Sequence, residues 1–226
     1  MMTAMPDPIP TSGRLVVVGA GGMGRCVLDV VDAINRCATG DRFDVVGVVD
    51  DAPRNLELLE ARGVPFLGGL GEVDALARDV AYVIGIGDAA GRERLDRRVG
   101  RSGRPSPVLV HPNAHVGFGV TMGPGTVVCS HVSIETNVHI GRHVHVNQNS
   151  TVGHDSRLRD HTTISPLVAV SGNVETEHAV FVGTGAAIRQ GVRVGQGATV
   201  AMGAVVLDDV PVGATVAGVP ARELAR

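Results

Sequence analysis

The sequence of 226 residues contains no lysine; all 20 basic residues are arginine. That removes a Schiff-base lysine and the lysine of a phosphate-binding P-loop from the available chemistry. Tryptophan is absent too, and the aromatic residues are only Phe43, Phe66, Tyr82, Phe118 and Phe181. These are too few for the stacking platforms that hold single-stranded nucleic acid. The net charge of −3 points the same way. Cysteine is sparse: Cys26, Cys37 and Cys129 are odd in number and lack CxxC spacing. Such a set fits a reducing cytoplasm better than a disulfide framework. No apolar run approaches the roughly 18 residues of a membrane-spanning helix. Residues 1–13, MMTAMPDPIPTSG, have neither the basic start nor the apolar stretch of a signal peptide and read as a flexible lead. The expectation is a cytoplasmic chain of one or two cored domains.

What the chain has instead is a period. Steps of six from Val110 meet Val116, Met122, Val128, Ile134, Ile140, Val146, Val152, Leu158, Ile164, Val170, Thr176, Val182, Ile188, Val194, Val200, Val206 and Val212. Only Thr176 is neither aliphatic nor Met. The position four further on is small or β-branched, from Ala114 and Val120 to Ala204 and Val210. Glycine often follows the aliphatic residue, as at Gly117, Gly123, Gly141, Gly153, Gly183, Gly195 and Gly213. A period of six fits neither a helix nor a two-faced strand. It fits a triangular parallel β-helix with three short strands per coil, aliphatics inside and glycines supplying corners with positive φ. Coils about 4.8 Å apart give residues 110–212 a length of roughly 27 Å.

Residues 14–110 follow another pattern. RLVVVGAGGMGRCVLDVVDAI reads as strand, glycine turn and helix, and FDVVGVVDD as a strand ending in Asp50 and Asp51. VPFLGG reads as a short strand before a helix from about Gly71 to Arg78, and AYVIGIGD as a strand before a helix from about Ala90. This alternation predicts a small parallel, Rossmann-like α/β sheet. Gly19, Gly21 and Gly24 match GxGxxG where a helix begins, and backbone N–H groups with the helix dipole favour a phosphate there. Asp50, at the second strand's carboxyl end, is placed to hold a ribose or base. A tight turn with helix-capping carboxylates accounts for the same residues without a ligand. At about 95 residues the sheet is short for a dinucleotide domain, so a mononucleotide or nucleotide-sugar is the expected ligand. The layout predicted is the lead at 1–13, a nucleotide-sugar-binding α/β domain at 14–110, an all-β β-helix at 111–215 and a tail at 216–226.

Several motifs add a resemblance: GAGGMGR at 19–25, VVDD at 48–51, GIGD at 85–88, HPNAHV at 111–116, Asn147 seven residues before His154-Asp155, ISPLVAVSGNV at 164–174 and GVPAREL at 218–224. From about Arg14 to Leu224 the chain resembles the hexapeptide-class nucleotide-sugar N-acyltransferases and sialic-acid O-acyltransferases. These make bacillosamine-type, perosamine-type and related bacterial glycan sugars. The resemblance implies a left-handed β-helix, against the usual crossover rule, and a homotrimer with acyl-CoA between adjacent prisms. It implies His154 as general base, with Asn147 and Asp155 beside it in the catalytic set. A histidine suits proton removal from an amine near neutral pH, and the thioester is already activated, so no covalent intermediate is required. The resemblance places the nucleotide-sugar at Gly21, Gly22, Met23, Asp50, Asp51 and Gly87. It places acyl-CoA at Thr163, Gly172, Thr184 and Met202. Neighbours on a strand point to opposite faces, so Asp155 is not expected to need contact with His154 of its own chain.

Two positions depart from the family pattern. Thr163 stands where relatives usually carry a histidine near the thioester carbonyl; its hydroxyl can donate the same bond, and His161 lies two residues away. Met23 stands where relatives often have histidine. The implied activity is acetyl transfer from acetyl-CoA to the amino group of a nucleotide-linked amino sugar, with no metal. O-acetylation of sialic acid or a related hydroxyl is the alternative. His139, His143 and His145 invite a metal-dependent prism like the γ-type carbonic anhydrases, but no two histidines have the five-residue spacing those enzymes need. A nicotinamide oxidoreductase built on the glycine loop leaves the β-helix unexplained. A non-catalytic scaffold or nucleotide-sugar sensor would keep its behaviour after His154→Ala.

Overall fold

The structure, a computed structural model, describes residues 12–40 and 42–224; most of the anticipated lead, residues 1–11, lies outside them. The first unit is a four-stranded parallel sheet in the order β3-β2-β1-β4. Its strands are β1 (Gly13–Val18), β2 (Phe43–Val49), β3 (Phe66–Gly68) and β4 (Ala81–Ile84). Leu15 to Val18 and Ala81 to Ile84 are buried throughout. Both strands, β1 inside the sheet and β4 at its edge, are covered on both faces, which is why these segments are unbroken apolar runs. The helices are α1 (Gly22–Cys37), α2 (Glu57–Glu60), α3 (Glu72–Ala75) and α4 (Ala89–Val99). The helix expected from Gly71 to Arg78 stops at Ala75. Buried Arg104 collects the carbonyls of Val73, Leu76, Ala77 and Val80, which ties the chain after Ala75 into a turn.

From Leu109 the chain winds into a triangular β-helix. Partners on successive coils lie 18 residues apart, as in His139 with Arg157, His145 with Thr163 and Thr151 with Ala169. The first face runs from Leu109–Val110 through Val127–Val128, His145–Val146, Thr163–Ile164 and Phe181–Val182 to Thr199–Val200 and Thr215–Ala217. The second begins at His115–Val116 and the third at Thr121–Met122. Val128, Ile134, Ile140, Val146, Val152 and Leu158 fill the prism together with their later counterparts. Thr176, the polar exception, is fully buried, and its hydroxyl lies 3.1 Å from that of Thr162.

Three expectations need correction. The glycines after the aliphatic positions mostly do not supply the left-handed corners. A Cβ at Gly123 would fall 2.6 Å from the Arg142 nitrogen, and one at Gly183 2.6 Å from that of Met202; these glycines let coils approach. The positive φ falls two residues later, where Asn137, His143, Asn149, Asp155, His161 and Asn173 have φ between 49° and 60°. Asn and Asp tolerate this region through local hydrogen bonding. Second, Val212 is not inward: it is 70 % exposed, while Val210 is buried and bridges Val194. The last turn is two residues shorter, and Asp209 accepts the Arg193 N–H there at 2.8 Å. Third, the segment from 216 onward, expected as a tail outside the β-helix, joins it as far as it is described. Arg222–Glu223 pairs antiparallel with Thr215–Ala217 and closes the first face.

The two units share a core. Leu109, Val127 and Cys129 on the first face join Leu15, Val17, Val27 and Leu28 in one apolar cluster. The first face is thereby covered from Leu109 to Ile164, while the edge between the second and third faces stays open at His154 and Asp155.

Candidate active site

His154 and Asp155 occupy that open edge, in the corner after Val152. Their side chains are 42 % and 47 % exposed, and His154 Nδ1 lies 2.8 Å from Asp155 Oδ2. Asp155 does touch His154 of its own chain, because neither residue is on a strand: Asp155 has φ 59°, which turns both side chains outward together. Asn137, one coil earlier, donates from Nδ2 to Asp155 Oδ1 at 3.2 Å. Glu135 accepts the His154 backbone N–H at 2.9 Å. The hydrogen bonds from His154 and then Asn137 hold the Asp155 carboxyl below the usual carboxylate range. The charged carboxylate fixes the Nδ1–H tautomer and leaves Nε2 with a free lone pair, the arrangement a general base needs. Gly172 lies one coil further on, where a Cβ would fall 2.5 Å from His154 Nε2; its bareness makes room for the ring.

The other predicted residues divide between two places. Asn147, Thr184 and Met202 line the edge between the first and second faces. Asn147 is buried and donates to the Ile164 carbonyl at 2.8 Å, so within one chain it does not touch His154. Thr184 and Met202 sit on successive coils, both exposed. In the α/β unit, Gly19, Gly24 and Gly85 are packing glycines: a Cβ on Gly24 would overlap the Gly19 carbonyl, and one on Gly85 would fall 2.5 Å from Gly24 Cα. Gly21, Gly22 and Gly87 have open space where a Cβ would be. Met23 packs against the apolar cluster. Asp50 accepts the Ala20 N–H at 2.7 Å and the Ala52 N–H at 2.8 Å. Asp51 accepts the Leu70 N–H at 2.7 Å. Both carboxylates therefore serve the turns.

Thr163 does not reach an open acyl site. It is buried on the covered first face, accepts from Arg92 Nη2 at 2.8 Å and donates its one hydroxyl hydrogen to the Gly87 carbonyl at 3.0 Å. Sequence reasoning missed the surrounding network. Arg92 of α4 is wholly buried, and burial lowers its pKa to about 9, which still leaves it charged at neutral pH. One turn on, Asp96 accepts from Tyr82 at 2.9 Å and from Arg142 at 2.7 and 2.9 Å, with His143 and His161 at 3.0 and 2.9 Å. Glu93 meets His178 at 3.1 Å. Thus α4 is bolted along the edge between the third and first faces. The 18-residue spacing of His143 and His161 was the available signal; it places both on one edge. The same geometry disperses the supposed metal cluster. His139 stands on the third face, His143 on the edge and His145 under the α/β unit. Among the described residues no group of three or more His, Cys, Asp or Glu side chains is placed to hold a metal ion, and no helix is long and apolar enough to cross a membrane.

A triangular β-helix with an exposed histidine–carboxylate pair, joined to a small α/β sheet with an open glycine loop, defines the hexapeptide-repeat acyltransferase class. Comparison with known proteins narrows this. Residues 14–99 match the family model of the PglD N-terminal domain. The GDP-perosamine N-acetyltransferase of Escherichia coli is 33 % identical over 215 residues, covering 93 % of this chain and 96 % of that protein. The acetyltransferase domain of PglB from Neisseria gonorrhoeae, solved with acetyl coenzyme A, is 30 % identical with a TM-score of 0.84; the match covers 94 % of this chain and 100 % of that one. PerB from Caulobacter crescentus, solved with CoA and GDP-perosamine, is 29 % identical with a TM-score of 0.81, covering 94 % and 98 %. The chain belongs to the nucleotide-sugar N-acetyltransferase family with a left-handed β-helix, and it is an enzyme of this type.

Proposed function

We propose that this enzyme transfers the acetyl group of acetyl-CoA to the amino group of a nucleotide-linked amino sugar, with His154 as general base. The observation that carries the reading is the exposed His154–Asp155 pair, with Nδ1 engaged at 2.8 Å and Nε2 open above Gly172. The sugar nitrogen attacks the thioester carbon while Nε2 takes the amine proton. The tetrahedral oxyanion collapses with cleavage of the C–S bond, and the imidazolium returns a proton to the departing thiolate. No covalent enzyme intermediate is needed. Backbone N–H groups are the natural donors to the oxyanion. The open positions at Gly21, Gly22 and Gly87, at the carboxyl ends of β1 and β4, suit a nucleotide. GDP-perosamine, the ligand of PerB, is the first substrate to test.

Six residues at about 3.3 Å each bound the width of one face at about 20 Å, and the edge bearing Asn147, Thr184 and Met202 lies one face away from His154. A second copy presenting that edge to His154 would join the two sets, with the pantetheine arm in the seam. This supports a homotrimer with sites between subunits. The test is CoA thiol release from acetyl-CoA with GDP-, UDP- and dTDP-linked 4-amino sugars and with free sialic acid. One amino sugar should turn over, and His154→Ala should lower its kcat/KM by about 10²- to 10⁴-fold. Absence of release with every acceptor would sink the assignment, and release with sialic acid alone would move it to O-acetylation.

A further inference from the structure

The buried contact between Thr163, Arg92 and Gly87 joins the proposed sugar-binding loop to the catalytic prism through one guanidinium. Arg92 donates from Nη1 to the carbonyls of Ile86 at 2.8 Å and Gly87 at 3.2 Å. From Nε it donates to the His143 carbonyl at 2.7 Å, and from Nη2 to those of His161 at 2.6 Å and Thr162 at 3.1 Å. One planar fork thus holds loop 86–88 of the α/β unit and two successive coils of the prism. Thr163 closes the ring, because its hydroxyl touches both Arg92 and Gly87. A flexible lysine could not span this set of acceptors in fixed directions.

The loop so held matters for chemistry. Gly87 follows β4 at the carboxyl edge of the sheet, where parallel α/β sheets bind their ligands. His154 stands on the prism. Any movement of loop 86–88 relative to the prism would move the bound sugar relative to the base, and misplacement of about 1 Å can cost 10²-fold in rate.

We infer that Thr163 and Arg92 are positioning residues for the sugar side of the reaction: they lock loop 86–88 onto the β-helix, and Thr163 does not contact the acyl group. The inference rests on the acetyl-transfer reading above.

The test compares Thr163→Val, which keeps the shape and loses both hydrogen bonds, with Thr163→Ser, which keeps the hydroxyl. Two measurements are made on each: steady-state KM for both substrates, and amide hydrogen exchange in the substrate-free protein. T163V should raise KM for the nucleotide-sugar about tenfold, as expected if the freed loop is in its binding position about a tenth of the time. KM for acetyl-CoA should stay within about twofold. Exchange at residues 85–89 should quicken while that of β2 is unchanged, and T163S should restore both. Arg92→Lys should move the same two readouts in the same direction. A rise in KM for acetyl-CoA with that for the sugar unchanged would overturn the proposal in favour of an acyl contact. Unchanged KM values with only a lowered melting midpoint would overturn it in favour of packing alone. Should the wild type transfer no acetyl group, the acetyl-transfer reading fails separately; exchange at 85–89 still decides whether Thr163 holds the loop.

Discussion

Two edges of the same prism carry a histidine–carboxylate pair, and they use it in opposite ways. On the edge under α4, Asp96 is buried and both its oxygens are crowded with donors from Tyr82, Arg142, His143 and His161. Burial would raise its pKa, but the hydrogen bonds from His143, His161 and Arg142 outweigh that and hold the carboxyl well below the usual range. The rings stack in a ladder, Tyr82 on His143 at 5.6 Å and His143 on His161 at 5.8 Å. On the open edge, Asp155 binds one imidazole and leaves its far nitrogen to solvent. A histidine–carboxylate pair is therefore no sign of catalysis by itself. What separates the two is whether Nε2 is spent on the carboxylate, as in His143 and His161, or kept free, as in His154.

The largest expected difference is in stability. Asp96→Ala leaves Arg142 and two imidazoles beside an uncompensated hole, and breaking a buried charged pair typically costs about 3–5 kcal/mol. Asp155→Ala removes an exposed carboxylate and should leave the unfolding midpoint nearly unchanged while lowering turnover. Urea unfolding of the two variants measures the contrast, and similar midpoints would erase the distinction between the edges.

This contrast also marks how far the sequence could be read. The six-residue period specified the three faces and almost every inward side chain, because each coil repeats the same steric demand. It failed at Val212, where the turn after Val206 is two residues shorter and the later registers shift with it. His154 was legible from its motif and its place after Val152. The docking of α4 was not. Arg92 and Asp96 meet residues 46 to 71 positions away, and such contacts between unlike segments leave no periodic trace. The burial of Thr163 was illegible for the same reason, since nothing local shows that α4 covers its face.

Glycine sharpens the comparison at smaller cost. Gly125 lies one coil before His143 as Gly172 lies one coil after His154, and a Cβ on either would strike the imidazole. His143 is walled in by Tyr82, Asp96 and His161, and Gly125 has φ 74°. Gly125→Ala should therefore cost about 2–4 kcal/mol, from overpacking and a left-handed alanine. At Gly172 the exposed His154 ring can swing aside. Gly172→Ala should leave the unfolding midpoint nearly unchanged yet lower kcat/KM by about 10- to 100-fold, since the base is displaced. Equal stability losses would show that the open edge is as rigid as the covered one.

The mildest contrast is in acid. Burial lowers the pKa of His143 despite Asp96, and lowers that of wholly buried His145 further. Both folded values thus lie below the unfolded value of about 6.5. Above that pH neither state is protonated and the full stability is present. As pH falls below about 6.5 the unfolded chain takes up protons that the folded protein refuses, so stability declines by at most about 1.4 kcal/mol per pH unit for each histidine. Asp96 adds a second decline: its contribution is complete above the ordinary carboxylate pKa of about 3.9 and is lost as pH falls through its depressed folded value. Unfolding free energy measured from pH 8 to pH 5 should fall in the wild type, and less steeply in His143→Gln. If H143Q lost stability as steeply as the wild type, the buried histidine would not be coupled to folding through its protons, and the structural part assigned to the covered edge would be wrong.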